Sequence, residues 1–174
     1  MRWLKDRGFR PTGFERSEGL AALARVHSGC PVLKGDFEVY DFSGMDVDAI
    51  LLVAALVHVP HDRFSKILSN IVQALKPGGY ALITLKEGQQ NTEVSADRIF
   101  YRWRDEYLRK VFLKLKLTVV DFSGQVSKIR EKDVWLGYVL GQQLIIKTWP
   151  QVFHNFCVTK LISRSALIWM TGLR

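Results

Sequence analysis

The stretch that decides the fold is residues 48–87, DAILLVAALVHVPHDRFSKILSNIVQALKPGGYALITLKE. Residues 49–57 are apolar and do not alternate with polar ones, which is typical of a strand buried on both faces of a parallel sheet. Apolar residues then recur at steps of three and four, which predicts a helix beginning near Pro60. The Pro-Gly-Gly turn at 77–79 ends this helix, and residues 80–85 predict the next strand. The stretch is therefore a β-α-β unit with a right-handed crossover.

Length and composition favour one globular domain. The chain has 174 residues, of which 48% are hydrophobic, enough for a single core. Cys30 and Cys157 form no CxxC pair, so we expect neither a zinc site nor a disulfide framework, and we predict a reducing, cytoplasmic location. The amino terminus lacks the apolar centre of a signal peptide. The longest apolar run, residues 49–57, is far shorter than the roughly 20 residues that cross a bilayer, so no membrane span is expected.

The formal net charge of +8 is concentrated in residues 98–132 and 141–174. Basic residues interleaved with aromatic ones are one pattern with which proteins meet phosphates and stack bases, so nucleic acid is one candidate partner. The same pattern is typical of an amphipathic helix with a basic solvent face. We favour the second interpretation and predict a helix over residues 98–115, with Ile99 and Trp103 in the core.

Two acids follow the short strands predicted before the β-α-β unit. Residues 11–14 lead into Glu15, and residues 31–33 are followed by Asp36 and Phe37. In nucleotide-binding doubly wound folds, a carboxylate at the tip of the second strand accepts both ribose hydroxyl protons. An acid at the next strand's tip accepts from the adenine amine, while an aromatic ring covers the base. Each acid also has a simpler interpretation, a loop acid beside a helix N-terminus for Glu15 and a turn residue for Asp36.

The order of the sequence motifs resembles that of the class I S-adenosylmethionine-dependent methyltransferases, most of all their small bacterial-type branch. The motifs are GFERS (13–17), LKGDF (33–37), DAILLVAALVHVP (48–60), ALKPGGYALITLKEG (74–88), RIFYRW (98–103) and WLGYVL (135–140). The resemblance implies an α/β, Rossmann-like doubly wound sheet of strand order 3-2-1-4-5-7-6 with an antiparallel last strand. It also implies S-adenosylmethionine as cofactor, with Glu15 at the ribose, Asp36 and Phe37 at the adenine, and Ala54 and Ala55 lining the site.

His58 is the candidate catalytic residue. The resemblance places the loop at 54–58 on the acceptor side, where an imidazole is a suitable general base for a hydroxyl or an amine. A histidine at a strand end also fits a purely structural role. Methyl transfer needs only proximity and in-line alignment, so it requires no obligatory catalytic residue, and the methyl acceptor stays unidentified.

The family's first strand and its glycine-rich turn would lie before Met1, where the sequence has neither. Two strands thus lack their shared central partner, and each unpaired buried backbone group costs about 1–3 kcal/mol. Another element in the gap, a rearranged sheet or a truncated chain would each account for this, and we expect truncation. The alternative to an enzyme is a non-catalytic methyltransferase-like fragment or interaction subunit. A homo- or hetero-oligomer that covers the incomplete sheet or the tail is a further expectation.

The last part of the resemblance is a closing antiparallel pair, residues 117–122 and 134–140. Residues 114–117 contain no glycine, so a left-handed residue in the turn before this pair would cost about 1–2 kcal/mol. We place the methyltransferase-like domain at residues 1–140 and a basic, apolar extension at residues 141–174. The extension suits a packed helix, an appended segment, or contact with a membrane surface or a partner groove. If it is helical, its apolar face holds Phe153, Phe156, Cys157, Leu161 and Ile168.

Overall fold

The computed structural model describes residues 1–95, 98–127 and 133–142, and the backbone of residues 166–170. Four helices and nine strands occur in these ranges. In chain order they are α1 (Arg2–Lys5), β1 (Arg10–Glu15), α2 (Glu18–Ser28), β2 (Val32–Lys34), β3 (Val47–Val53), α3 (His61–Val72), β4 (Leu75–Glu87), β5 (Thr92–Ser95), β6 (Arg98–Trp103), α4 (Asp105–Lys114), β7 (Leu117–Val126), β8 (Val134–Gln142) and β9 (Ala166–Met170).

The strands pair in the order β2-β1-β9-β3-β4-β8-β7. Strand β8 is antiparallel to both of its neighbours, and the other neighbours in this series are parallel. This is the order 3-2-1-4-5-7-6 that the resemblance implied, so the Rossmann-like sheet with an antiparallel last strand is confirmed. Strands β5 and β6 form an antiparallel hairpin, and the end of β6 pairs with the end of β4.

The central position of the sheet is filled by β9. This strand lies parallel to β1 on one side and to β3 on the other. Three explanations were considered for the missing central strand, and the structure shows the one in which another element takes its place. Ile168, which was placed on a helical face, lies in this strand, so a helix there is wrong. The other four residues of that face lie outside the described residues, and truncation relative to the family stays a prediction.

The β-α-β unit at 48–87 forms the core as predicted, but the Pro-Gly-Gly residues do not end the helix: α3 ends at Val72, and residues 77–79 lie inside β4. The apolar stripe of α3 is buried, with Phe64, Leu68 and Ile71 fully covered, because their spacing puts them on the face turned to the sheet. Strand β3 is shorter than the predicted run, since it ends at Val53. The following residues 55–57 leave the strand but stay buried, which explains why the run does not alternate.

The predicted helix over residues 98–115 is correct only for its second part. Residues Arg98–Trp103 form strand β6, and α4 begins at Asp105 after Arg104, whose backbone is extended. Ile99 is 48% exposed instead of buried, whereas Trp103 is fully buried, as expected. Aromatic and β-branched residues favour a strand, and pairing with β5 gives this segment a partner that the helical pattern did not indicate.

Candidate functional site

The carboxyl ends of β1 and β2 bring Glu15 next to the turn that holds Asp36. Glu15 pairs with Lys34 in the ladder, and the Gly35 amide donates to the Glu15 carbonyl over 3.1 Å. A side chain at Gly35 would collide with the ring of Phe14, because an added Cβ would lie 2.7 Å from it. Glycine therefore lets the second turn close tightly over the first, and the two acids meet at one edge of the sheet.

The Glu15 side chain is buried, with 4% of the residue exposed. Its Oε1 accepts a hydrogen bond from the Ser17 amide over 2.8 Å, and Ser17 in turn caps α2 by accepting from the Leu20 amide. Glu15 also forms part of the wall of a cavity of about 370 Å³ between β1, α1 and α2. The carboxylate is thus held by backbone at the sheet edge, as a group that receives a ligand must be.

Asp36 is both a turn residue and a partly exposed acid. Its Oδ1 accepts from the Glu38 amide over 3.0 Å, and its Oδ2 lies 3.4 Å from the Arg16 guanidinium. Phe37 is half-buried and packs against the hydrophobic core. The turn interpretation of Asp36 is therefore correct, and its position beside Glu15 is also compatible with the predicted adenine contact.

The loop after β3 begins with a strained residue. Ala54 has φ = 52°, a left-handed conformation that costs a non-glycine residue about 1–2 kcal/mol, and its amide donates to Thr84 Oγ1 over 2.8 Å. Ala55 behind it is only 1% exposed. Such strain persists where surrounding contacts enforce it, and it is often found at functional sites. The contact with Thr84 was not predicted, since the sequence shows only a polar residue inside an apolar strand.

His58 is held by the hairpin strand β6. Its Nδ1 lies 2.6 Å from the Ile99 carbonyl oxygen, and its ring centroid lies 4.6 Å from that of Phe100. A carbonyl oxygen only accepts, so this contact assigns the proton of the neutral ring to Nδ1 and leaves the lone pair on Nε2. An Nε2 lone pair is the group that a general base needs.

A buried ion network ties the hairpin to the end of β4. Lys86 and Asp133, both about 95% buried, are 2.8 Å apart, and Arg102 contacts Asp133 at 2.7 Å and also Glu93. The Lys86 ammonium lies 4.4 Å from the centre of the Phe100 ring. Burial acts to raise the pKa of Asp133, but the hydrogen bonds from Lys86 and Arg102 outweigh it and lower that pKa. The network was missed from sequence, where only a lysine at the end of an apolar strand hinted at it.

The described parts of the chain contain neither a metal-binding cluster nor a helix that could span a membrane. No group of three or more His, Cys, Asp or Glu residues could hold a metal ion there. No helix in those ranges is both long enough and apolar enough to cross a membrane.

The groups at the sheet edge fit the cofactor that the resemblance implies. Two carboxylates at the tips of adjacent strands match a vicinal diol and an exocyclic amine, since both partners donate and each carboxylate accepts. Gly35 packs closely against the backbone and ring next to Glu15. Strands β1 and β3 run parallel on either side of β9, so the loop that begins at Ala54 lies at the same edge of the sheet as Glu15. The five predicted cofactor residues therefore share one edge of the sheet.

Sequence comparison relates the first half of the chain to methyltransferases. Residues 1–83 match the family model described as a methyltransferase domain. The curated phthiotriol/phenolphthiotriol dimycocerosates methyltransferase 1 of Mycobacterium ulcerans (strain Agy99) is 35% identical over 82 residues, which are 45% of this chain and 30% of the relative. The chain thus spans less than a third of the length of this relative.

Structure comparison covers more of the chain. A S-adenosylmethionine-dependent methyltransferase from Methanosarcina mazei matches with a TM-score of 0.68 at 14% identity, over 82% of this chain and 86% of that one. The 1,6-didemethyltoxoflavin-N1-methyltransferase of Burkholderia thailandensis, with bound 1,6-didemethyltoxoflavin and S-adenosylhomocysteine, matches with a TM-score of 0.66 at 20% identity, over 81% and 64% of the two chains. These likenesses show the fold. Residues 1–83 thus match a methyltransferase domain, and the described structure has the Rossmann-like fold of the class I S-adenosylmethionine-dependent methyltransferases.

Proposed function

We propose that this chain transfers a methyl group from S-adenosylmethionine to a hydroxyl or amine of an acceptor. The observation that carries the proposal is the pair of acids at the carboxyl ends of β1 and β2, with Glu15 buried at a cavity and Asp36 beside it. The methyltransferase domain match over residues 1–83 includes both acids and supports it.

Each residue of the edge has a defined part in this proposal. Glu15 accepts hydrogen bonds from the two ribose hydroxyls, and Asp36 accepts one from the adenine amine. The cofactor, when bound, supplies the sulfonium methyl group. The loop that begins at Ala54 orients the acceptor, and His58 Nε2 takes the proton that the acceptor loses.

The acceptor would approach between the loop at 54–58 and the hairpin. The Tyr101 amide donates to the Val57 carbonyl over 2.8 Å, so the hairpin strand β6 closes one side of this loop. Val94 and Ile99 form a cross-strand pair on the hairpin, and they are 72% and 48% exposed. This pair gives the acceptor side an apolar wall next to His58.

Cellular context also belongs to the proposal. Cys30 is a buried free thiol, which supports a reducing, cytoplasmic compartment. Contact with nucleic acid and assembly into an oligomer stay predictions.

The proposal is tested by calorimetric titration of the full chain with S-adenosylhomocysteine. We expect micromolar binding by the wild type, and binding about 10- to 100-fold weaker for Glu15→Gln, because the amide keeps the shape but loses a charge-assisted acceptor. Asp36→Asn should also weaken the binding of S-adenosylhomocysteine. Circular dichroism checks that each variant is folded.

The matched control is Asp46→Asn, which makes the same chemical change at an exposed acid just before β3, at the opposite edge of the sheet. It should bind like the wild type. A folded wild-type chain that does not bind S-adenosylhomocysteine would contradict the proposal and favour a non-catalytic methyltransferase-like subunit.

A further inference from the structure

In the described part of the chain, the backbone ladder of the sheet joins its two halves only through β9. Phe14 of β1 and Leu52 of β3 both pair with Met170, and β1 does not pair directly with β3. One half, β2-β1, carries Glu15 and the Asp36 turn. The other half, β3-β4-β8-β7, carries the loop that begins at Ala54.

The width of β9 sets the distance across the candidate site. Adjacent strands lie about 4.8 Å apart, so β1 and β3 are about 10 Å apart with one strand between them. Without that strand, no backbone pairing in the described sheet would hold the halves at this distance, although core contacts of Phe14 and the hydrogen bond from Asn70 to the Tyr40 carbonyl would still connect them. The Glu15 carboxylate and the Ala54 loop would then no longer be fixed to face one ligand, because Glu15 and Val53 lie at the same level on either side of β9.

The distance from the end of β8 to the start of β9 is short compared with the length of sequence that separates these two strands. Gly141, Tyr80, Ala49 and Leu167 lie at one level across β8, β4, β3 and β9. Strand β8 therefore ends at the edge where β9 begins, about 14 Å away over three strand spacings. Twenty-three residues separate the two strands in the sequence, and the maximal reach of a chain of that length is several times this distance.

Strand β9 has the amino-acid composition that the centre of a parallel sheet requires. Residues 166–170 are Ala-Leu-Ile-Trp-Met, all apolar, as in strands buried between two parallel neighbours. Main-chain ladders on both sides provide the affinity by which a sheet binds an added strand. We propose that the groove between β1 and β3 is a strand-binding site whose ligand is Ala166–Met170 of the same chain, and that insertion of this strand assembles the cofactor site. The assembly of the cofactor site rests on the proposed function, whereas the binding of the strand does not.

The test uses Ile168→Pro in the full chain. Ile168 pairs with Thr12 and Ile50, and proline both removes an amide and disfavours a central strand. Hydrogen exchange followed by mass spectrometry should show amides of β1 and β3 exchanging about 100-fold faster than in the wild type, while β4 and β8 keep their protection. Affinity for S-adenosylhomocysteine should fall at least about tenfold. Ile168→Val is the matched control and should change neither quantity.

Rescue in trans makes the test specific. A synthetic peptide of residues 161–174 should restore both protection and affinity to Ile168→Pro, and a peptide with the same residues in scrambled order should not. If Ile168→Pro is insoluble, Ile168→Gly takes its place in the same measurements, since it weakens a strand without removing an amide.

Three results would overturn the strand-binding proposal. They are unchanged exchange in β1 and β3, exchange that rises equally in β4 and β8, and failure of the peptide to rescue. A wild-type dimer that Ile168→Pro dissociates would assign the strand to a second copy and overturn its intrachain origin. If the wild type does not bind S-adenosylhomocysteine, the proposed function fails, whereas the exchange pattern still decides whether β9 is a docked strand.

Discussion

Lys116 and Ala54 both have left-handed backbone, with φ of 57° and 52°, although neither is glycine. Ala54 lies at the candidate site, where its amide is fixed by Thr84. Lys116 lies on the surface just after α4, and its amide donates to the Leu113 carbonyl. The strained Ala54 thus begins a loop with a proposed role in binding, whereas the described contact of Lys116 serves only to terminate helix α4. The sequence prediction of a costly left-handed residue within 114–117 is confirmed.

Lys116→Gly should therefore stabilise the protein. Glycine removes a left-handed penalty of about 1–2 kcal/mol but adds about 0.4–1 kcal/mol of backbone entropy to the unfolded chain, which leaves a gain of about 0.5–1 kcal/mol. The midpoint of thermal unfolding should rise by about 1–4 °C. Lys116→Ala removes the same side chain but keeps the Cβ, and it should give no gain. Equal midpoints for the two variants would show that backbone strain is not the cause.

Among the secondary-structure elements, the hairpin β5–β6 depends on the buried ion network that Asp133 forms with Lys86 and Arg102. It is an edge addition whose outer part, with Val94 and Ile99, is exposed, whereas Trp103 at its inner end is fully buried. Asp133 contacts both Lys86 at the end of β4 and Arg102 in β6. This carboxylate therefore joins the hairpin to the main sheet, and with it the carbonyl that orients His58.

Asp133→Asn should destabilise the protein by about 2–4 kcal/mol near neutral pH, since it removes a charged partner of the buried Lys86 and of the partly buried Arg102. Hydrogen bonds keep the pKa of folded Asp133 below that of an unfolded aspartate, about 4. Its stabilisation is therefore complete above about pH 4 and is lost as the pH falls through the lower folded-state pKa. Urea unfolding of wild type and variant at pH 7, 5 and 3 should show a difference that shrinks only at pH 3.

Asp6→Asn, an exposed acid at the end of α1, is the control for that experiment and should leave the unfolding free energy unchanged at every pH. A loss of stability in Asp133→Asn that did not vary with pH would mean that packing, and not the carboxylate charge, is what the hairpin needs.

The features that were predicted well from the sequence are those whose pattern lies within a short stretch of residues. The stripe of α3 repeats within twelve residues, Glu15 is the last residue of β1, and Asp36 comes two residues after the end of β2. The hairpin was missed because Ile99 and Trp103 are four residues apart, which also suits a helix. Strand β9 was missed because its five apolar residues fit either structure, and its partners lie near the other end of the chain. Contacts such as Lys86 with Asp133 depend on pairing that no local pattern indicates.

Cofactor binding should be coupled to the stability of the whole molecule. The proposed site draws residues from both halves of the sheet, so a ligand that bridges them favours the folded state over the unfolded one. S-adenosylhomocysteine at 100 times its dissociation constant should add about 2.7 kcal/mol to the unfolding free energy, which corresponds to about 5–10 °C in the thermal midpoint. Differential scanning fluorimetry of wild type and Glu15→Gln at one ligand concentration measures this shift.

The shift should be much smaller in Glu15→Gln. Equal shifts in wild type and variant would place the ligand away from Glu15.

The central position of β9 also determines when the sheet can close during biosynthesis. Arg10 pairs with Ala166, so β1 finds its inner neighbour only after every other described strand has been made. Pairings this remote in sequence form slowly, because the chain entropy must be lost before any contact is gained. Strand β1 must therefore spend most of synthesis with an open edge, and a nascent chain held before residue 166 offers that edge to chaperones and to other nascent copies.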